Sequence, residues 1–468
     1  MSKLTEFKKY INGKSAAVVG IGISNTPLID FLLSNGAKVT ARDMKTREKL
    51  GALADTLESK GVTLTLGENY LDNFTEDIIF KAPGIRADKP QFVDAIKRGA
   101  TLTSEMEVFL TLCPCRIFAV TGSDGKTTST TLTYKMLELE AKKRASDTRV
   151  WVGGNIGKPL LPEIDSIGEN DLVVVELSSF QLHAMKCSPF AAAITNVSPN
   201  HLDWHTDMEE YTAAKRNIFG GAATQRVVLN YGCEATREMA AVAHAPVTYF
   251  SGKCTPADGF AAVYEKDGVI VHRTADGILA EVLPTADIKI PGRHNVENYM
   301  TAIALTWGHV SLDTIREIAT TFGGVEHRCE FVRELDGVKY YNSSIDSSPT
   351  RTEAALRAFS EKVIVICGGY DKNIPYAPLA KPLSECAKKV VLVGATAPKI
   401  KAALTEYSGY NGSPEIIEAD TFEGAVSAAR GAAERGDIVV LSPASASFDM
   451  FKNFEERGNY FKQIVNGF

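Results

Sequence analysis

Apolar positions between residues 15 and 110 follow two alternating rhythms. Short continuous runs, "SAAVVGIG", "AKVTARD", "GVTLTLG" and "DIIFKAPGI", are separated by segments such as "TPLIDFLLSNG" and "PQFVDAIKRGA", whose apolar residues recur every third or fourth position. The runs predict buried strands and the periodic segments predict helices, so their alternation predicts a doubly wound α/β unit. The same alternation returns from about 115 to 310, with strands "DLVVVEL" and "FAAAITNV" and a closing helix "NVENYMTAIALTWGHV". Within it, residues 246 to 290 change to strand runs joined by "KDG" and "ADG" turns, which predicts a small antiparallel sheet. A third unit from about 325 onward carries "KVIVICGG", "KVVLVGA" and "DIVVLSPA" between helical spans, again the pattern of a parallel sheet. The expected domains are residues 1–111, 112–324 and 325–468, with no low-complexity linker between them.

Length agrees with this division, because 468 residues exceed what one hydrophobic core serves. A net charge of −6 and the lack of a basic stripe give no reason to expect nucleic acid or an anionic membrane as partner. The first twenty residues lack a long apolar core and cleavage site, and no apolar stretch approaches the ~18 residues of a membrane span, so the expected location is the cytoplasm. Of eight cysteines only Cys113 and Cys115 are close, and their spacing across Pro114 is not CxxC. Zinc and a disulfide framework are therefore not expected, and the thiols are read as reduced and mostly buried.

The chemistry is concentrated where strands end, which is where open α/β sheets bind ligands. "VTGSDGKTTST" takes a strand through Gly122, Ser123, Asp124 and Gly125 into a helix beginning near Lys126, Thr127 and Thr128. Glycines let the backbone approach phosphate oxygens, the helix start presents N–H groups, Lys126 brings charge and the Thr127 hydroxyl suits Mg²⁺. Val120 stands where the strict P-loop pattern has Gly, and a glycine-rich turn with a solvated lysine fits the same residues. "GIGISN", with Gly20, Gly22 and then Asp43 at the next strand end, suits either a dinucleotide or a tight turn without ligand, since Asn25 replaces the third glycine. Glu176 ends the strand "DLVVVE" and suits either Mg²⁺ or a capping role. "NVSPNHLDWH" places Asn196, His201, Asp203 and His205 together, while periodicity alone makes Lys215 a solvated surface lysine.

Taken in order, "TGSDGKTT", "GGNIG", "ELSSFQL", "NVSPNHLDWH", "AAKRNIF", "PGRHNVEN", "GGVEHRCEFV", "GGYDKN" and "SPASASFDMFKNFEERG" resemble the Mur ligases of peptidoglycan synthesis, most of all their MurD-type branch. The resemblance covers essentially the whole chain. It implies three α/β domains: a Rossmann-like N-terminal domain for a UDP-linked substrate, a P-loop-type central ATPase domain, and a Rossmann-like C-terminal domain for the incoming amino acid. It implies ATP, two Mg²⁺ ions and a monomer, with glutamate, expected to be D-glutamate, added to UDP-N-acetylmuramoyl-L-alanine through an acyl phosphate.

Carried residue by residue, the resemblance implies that Ile23, Ser24, Asp43, Asn155 and His201 meet the UDP-linked substrate. Gly122 through Thr128, Asn295 and Arg328 would meet the nucleotide. Thr127 and Glu176 would hold one Mg²⁺ and His201 a second, aided by a carbamylated Lys215, while Lys126, Glu176, His201 and Lys215 form the catalytic set. Lys372, Ser447 and Phe454 would receive the glutamate. The chain departs from the family at Ser343 and Ile345, where many members carry Asp and Lys, with Asp346 a possible replacement, and at Asn25 and Ala82 in the first domain. An L-glutamate-specific variant and a ligase-like binding subunit are the competing readings, ahead of a folylpolyglutamate-synthase type or a nicotinamide oxidoreductase.

Overall fold

A computed structural model describes residues 2–22 and 25–468, so the expected ligands Ile23 and Ser24 lie outside the described residues. The chain forms two compact units, Met1–Leu283 with Glu297–Ile315, and Pro284–Val296 with Arg316–Phe468. The first unit holds two sheets and the second holds one.

The first sheet consists of β1 (Ser15–Val19), β2 (Lys38–Asp43), β3 (Thr63–Leu66), β4 (Ile78–Lys81) and β5 (Thr101–Thr103), in the order β3-β2-β1-β4-β5, all parallel. Parallel strands are covered by crossover helices on both faces, which is why β1 is apolar at successive positions rather than alternate ones. Ala16 and Val18 pack against Leu28, Phe31 and Leu32. Ala17 and Val19 join Phe74, Ile79 and Phe92 on the other face.

The central sheet has nine strands: β6 (Arg116–Thr121), β7 (Val150–Gly154), β8 (Leu172–Glu176), β9 (Ala191–Ile194), β10 (Arg226–Asn230), β11 (Val247–Ser251), β12 (Ala261–Lys266), β13 (Val269–Arg273) and β14 (Leu279–Pro284). Their order is β14-β13-β12-β11-β10-β9-β6-β8-β7. Pairing is parallel from β7 through β12, and β12 meets β13 antiparallel across the "KDG" turn. The antiparallel ribbon expected at 246–290 is thus present, but it continues the central sheet rather than standing apart, because β11 pairs with β12 in register Thr248↔Ala261.

The third sheet contains β15 (Glu330–Leu335), β16 (Val338–Asn342), β17 (Val363–Cys367), β18 (Ala387–Val393), β19 (Glu415–Ala419) and β20 (Ile438–Leu441), ordered β15-β16-β20-β17-β18-β19. All neighbours are parallel except β15 and β16. Alternate residues of β17 serve two cores, Val363 and Val365 on one face and Ile364 and Ile366 on the other. Among the described residues no helix is long and apolar enough to cross a membrane.

At the end of β6 the chain turns through Gly122 and Gly125 into the helix Lys126–Lys143. Both glycines have positive φ, +150° and +77°, and both are crowded. A Cβ on Gly122 would fall 1.8 Å from Thr195 Oγ1, and one on Gly125 2.3 Å from Asn298 Oδ1. No side chain fits at either position without moving the tip of β9 or the neighbouring helix Arg293–Thr306. Gly122→Ala is expected to lower the first unfolding transition in urea, with a loss of at least about 2 kcal/mol from strain and overlap; an unchanged midpoint would mean that the turn is not held as described.

Candidate active site

Sheet order decides which residues meet. β6 lies between β9 and β8, with β7 beyond β8, and all four run parallel, so their carboxyl ends share one edge. That edge collects the turn 122–125, Glu176, Asn155 and the segment from Thr195 to His201. The turn is held from the β9 side: Ser123 N–H donates to Asn196 O at 3.0 Å, Asp124 N–H to Asn196 Oδ1 at 2.9 Å, and Thr195 Oγ1 to Asp124 O at 2.5 Å. Lys126 Nζ donates back to Ser123 O at 3.0 Å. The first N–H groups of the Lys126–Lys143 helix have no intrahelical partner, so the turn and helix start form a cradle for an anion.

The helix Met208–Arg216 lies against this cradle and corrects the surface reading of Lys215. Asp207 caps it, its side chain accepting from Glu210 N–H. Tyr211 is buried with its hydroxyl 2.9 Å from Ser123 Oγ, and one turn later Lys215, 1% exposed, donates from Nζ to Gly122 O at 2.6 Å. Periodicity assigned Lys215 to solvent because the helix carries few apolar residues; its buried face instead meets the polar underside of the phosphate turn. Burial, reinforced by the nearby Lys126 charge, pushes the Lys215 amine down to about 6. Above that pH it is a neutral amine inside the protein.

Glu176 at the tip of β8 is 1% exposed. Its Oε1 accepts from Asn155 Nδ2 at 2.8 Å, whereas Oε2 is buried without a hydrogen-bond partner. The backbones approach equally closely, with Asn155 N–H donating to Glu176 O at 2.8 Å. Asn155, expected at a UDP-sugar, therefore already spends its amide on Glu176. An orphaned carboxylate oxygen in a buried site fits a divalent cation, as does the hydroxyl of Thr127 at the helix start. Among the described residues no three His, Cys, Asp or Glu side chains gather into a metal cage. That donor set suits Mg²⁺, which takes one or two protein ligands and completes its shell with phosphate oxygens and water.

His201 has φ +55° and its ring packs against Phe180, centroids 4.8 Å apart. Partial desolvation and the Lys126 charge hold its imidazole below the usual range, which keeps a ring nitrogen lone pair available. Sequence reading missed what anchors this segment. Arg86, after β4 of the first sheet, makes a two-pronged bond to Glu210, 2.8 Å to Oε1 and 3.1 Å to Oε2, and donates to Trp204 O. Trp204 Nε1 returns a bond to Gly84 O at 2.9 Å. Glu210 also meets His183 Nε2 at 3.0 Å and receives Thr206 N–H, and Arg86 above all holds its carboxyl well below the usual range. The clue lay in "PGIR" and "MEEY", but an arginine in one loop and a glutamate in a helix 124 residues on carry no pairing signal.

In the first sheet, Asp43 does not stand free for a ligand. Its Oδ2 accepts from Ile21 N–H at 2.6 Å and Oδ1 from Lys45 N–H at 2.8 Å. Asn25, in the place of a third glycine, folds its amide back onto Gly20 O at 2.8 Å.

In the second unit, Tyr370 N–H donates to Ala446 O at 2.8 Å, bringing the loops of Lys372 and Ser447 together, and Lys372 Nζ lies 6.0 Å from the Phe448 ring centroid. Phe454 stands instead against His327, at 5.9 Å. Asn295 opens the helix Arg293–Thr306 and donates from Nδ2 to Pro291 O. Arg328 places its charge near Asp346. Asp346 is not an outward replacement for the family's missing acid: it is buried, accepts from Ser442 Oγ at 2.8 Å, and burial pushes it up to about 6. Arg457, also buried, ties this loop to the next by donating to Ser344 O, Ser445 O and Ala446 O.

Known proteins resemble this chain over nearly its whole length. Three family models fall in order along the chain: the N-terminal domain of MurD-like Mur ligases over residues 14–104, the Mur ligase middle domain over 120–306, and the Mur ligase glutamate ligase domain over 327–445. A protein of Acetivibrio thermocellus named UDP-N-acetylmuramoylalanine–D-glutamate ligase is 52% identical over 470 residues, with 99% of both chains covered. One of the same name from Clostridium botulinum is 50% identical over 471 residues, again covering 99% of each. Among solved structures, the UDP-N-acetylmuramate-alanine ligase MurC of Thermotoga maritima shares the fold, with a TM-score of 0.56 at 20% identity over 97% of this chain and 99% of that one. With its full length accounted for by relatives half identical to it, the chain belongs to the Mur ligase family and is an ATP-dependent ligase that forms amide bonds.

Proposed function

We propose that this ligase joins D-glutamate to UDP-N-acetylmuramoyl-L-alanine, with ATP converted to ADP and phosphate, in the cytoplasmic assembly of the peptidoglycan precursor. The relatives' names support the substrates. The observation that carries the chemistry is the meeting, at one sheet edge, of an anion cradle, a buried carboxylate with an unpartnered oxygen, and a buried amine.

A carboxylate does not condense with an amine in water, because its carbon is a poor electrophile and hydroxide a poor leaving group. The alanyl carboxylate therefore takes the γ-phosphoryl group of ATP to give an acyl phosphate, on which the glutamate amine displaces phosphate. Lys126 and the N–H groups from Gly125 into the first turn of the helix hold the phosphates and offset charge as the phosphoryl group passes, the N–H groups of Ser123 and Asp124 being taken up by Asn196. Thr127 and Glu176 would hold one Mg²⁺ and His201 a second, and the bound ions would supply further screening between anions. Lys215 takes part through its neutral amine, which adds CO₂ and loses a proton to become a carbamate, so that a neutral group becomes an anion able to serve a metal. Residues 1–111 hold the UDP moiety, with Ile23 and Ser24 as its contacts and Asp43 fixing the N–H of Ile21; Asn155 and His201 serve the sugar side. The central domain holds ATP at the turn 122–128, and residues 325–468 receive glutamate through Lys372, Ser447 and Phe454. The ligase is proposed to act as a monomer.

Purified protein with ATP and Mg²⁺ is expected to release phosphate only when both UDP-N-acetylmuramoyl-L-alanine and D-glutamate are present. Release with L-glutamate alone would make it a variant ligase, and no release would make it a binding subunit. Glu176→Gln is expected to cut kcat/KM at least about 100-fold, more than loss of a neighbour to a metal ligand costs, with part of the loss recovered at high Mg²⁺. Lys215→Met removes a buried amine, so its unfolding midpoint is expected to hold or rise while activity falls by a similar factor; a parallel loss of both would assign Lys215 a structural role.

The carbamate has its own readout. Protein equilibrated with ¹³C-bicarbonate is expected to give one carbamate carbon resonance that Lys215→Met abolishes. Because only the neutral amine reacts and its pKa is about 6, the resonance and the activity are both expected to fall as pH drops through 6. Full activity in CO₂-free buffer would exclude the modification.

A further inference from the structure

Three residues connect the helix after the first sheet's last strand to the central sheet. The helix Glu105–Leu112 is capped by Cys113, Pro114 follows, and Cys115 leads directly into β6. The two sulfurs lie 3.6 Å apart, in contact, and both residues are half-buried. They line a cavity of about 650 Å³ together with a third thiol, Cys187, and the cations Lys3, Arg116 and Lys186. Arg116 begins β6, and Phe190 and Gln225, which precede β9 and β10, also line it, so the cavity opens at the amino edge of the central sheet, opposite the candidate active site.

The three thiols are not equivalent. The hydrogen bond shared by the two sulfurs holds Cys113 below the ordinary thiol range and raises Cys115 in exchange. Burial pushes Cys187 up to about 12 and leaves it a poor nucleophile. A disulfide between Cys113 and Cys115 requires their sulfurs to close from 3.6 Å to about 2.05 Å, a movement shared by two side chains facing open space.

We propose that Cys113 and Cys115 form a modification site of their own, a dithiol that a hydroperoxide closes to a disulfide at the edge of the sheet remote from ligation. Cys113 thiolate attacks the peroxide oxygen, the O–O bond breaks, and the departing alkoxide or hydroxide takes the released proton, leaving a sulfenic acid. Cys115 sulfur then attacks Cys113 sulfur; the S–S bond forms, the S–O bond breaks, and water leaves with the Cys115 proton. One peroxide is reduced as two thiols are oxidised. The assignment is independent of which amino acid the enzyme ligates.

Tryptic digestion gives a decisive peptide, because residues 99–116 contain both cysteines and no third. Reduced full-length protein is treated with stoichiometric hydrogen peroxide, denatured, alkylated and digested. The expected product is this peptide unalkylated and about 2 Da lighter than its dithiol form, restored by a phosphine reductant. Formation at least about 10-fold faster than oxidation of Cys187 is expected from the difference in thiolate content. Cys187→Ser keeps the product, whereas Cys113→Ser and Cys115→Ser abolish it. Phenylarsine oxide, which bridges paired thiols with loss of water, is expected to bind once per chain and to be lost from either of those two variants. Oxidation elsewhere in preference, a Cys113–Cys187 cross-link, or arsenical binding that survives Cys115→Ser would each overturn the assignment.

Discussion

Everything at the carboxyl edge of the central sheet turns on an amine in the wrong place. Lys215 is closed off from water with its nitrogen 2.6 Å from the Gly122 carbonyl and Lys126 close by. A charged ammonium there loses its hydration and faces a like charge, so the fold holds the group neutral. Substrate is not required for this. It follows from how the helix Met208–Arg216 is attached, at Asp207 by its cap, at Tyr211 by the Ser123 hydroxyl and at Glu210 by Arg86 from the first sheet. The helix cannot rotate Lys215 into solvent without breaking those attachments.

The strand order β9-β6-β8-β7 supplies the rest. It places the phosphate turn between Asn196 on one side and Glu176 on the other, and Asn155 beyond Glu176 fixes one carboxylate oxygen while leaving the second bare. Crowding at Gly122 shows how little slack the arrangement has: the turn is pressed against Thr195 so closely that a methyl group has no room. Phosphate cradle, metal-binding oxygen and neutral amine are consequences of one sheet edge, and a family of ligases that must activate a carboxylate has reason to keep them together.

Much of this was legible in the sequence. Continuous apolar runs marked the parallel strands because both sheet faces are covered, and glycine, lysine and threonine in fixed spacing marked the phosphate turn because few residues fit there. What the chain concealed were partnerships across distance. Lys215 read as solvated because its buried face meets polar groups rather than an apolar core, and periodicity detects only the latter. Asp43 read as a ligand and Asp346 as one way to make up for the departure at Ser343 and Ile345, while in the fold Asp43 accepts from backbone N–H groups and Asp346 from Ser442. Arg86 and Glu210 gave no signal because a pair joining two sheets has no local spacing. The antiparallel ribbon was visible in its turns, but its attachment to β11 depended on a parallel pairing that no turn encodes.

The most direct test of this account is the protonation of Lys215 itself, read by NMR of protein labelled at lysine Cε and Nζ in CO₂-free buffer, with Lys215→Met to assign the resonance. A midpoint near 6 is the predicted result, with the neutral form prevailing at neutral pH. Titration near the ordinary lysine value of about 10.4 would mean that the amine reaches water, and the arrangement built around it would have to be abandoned.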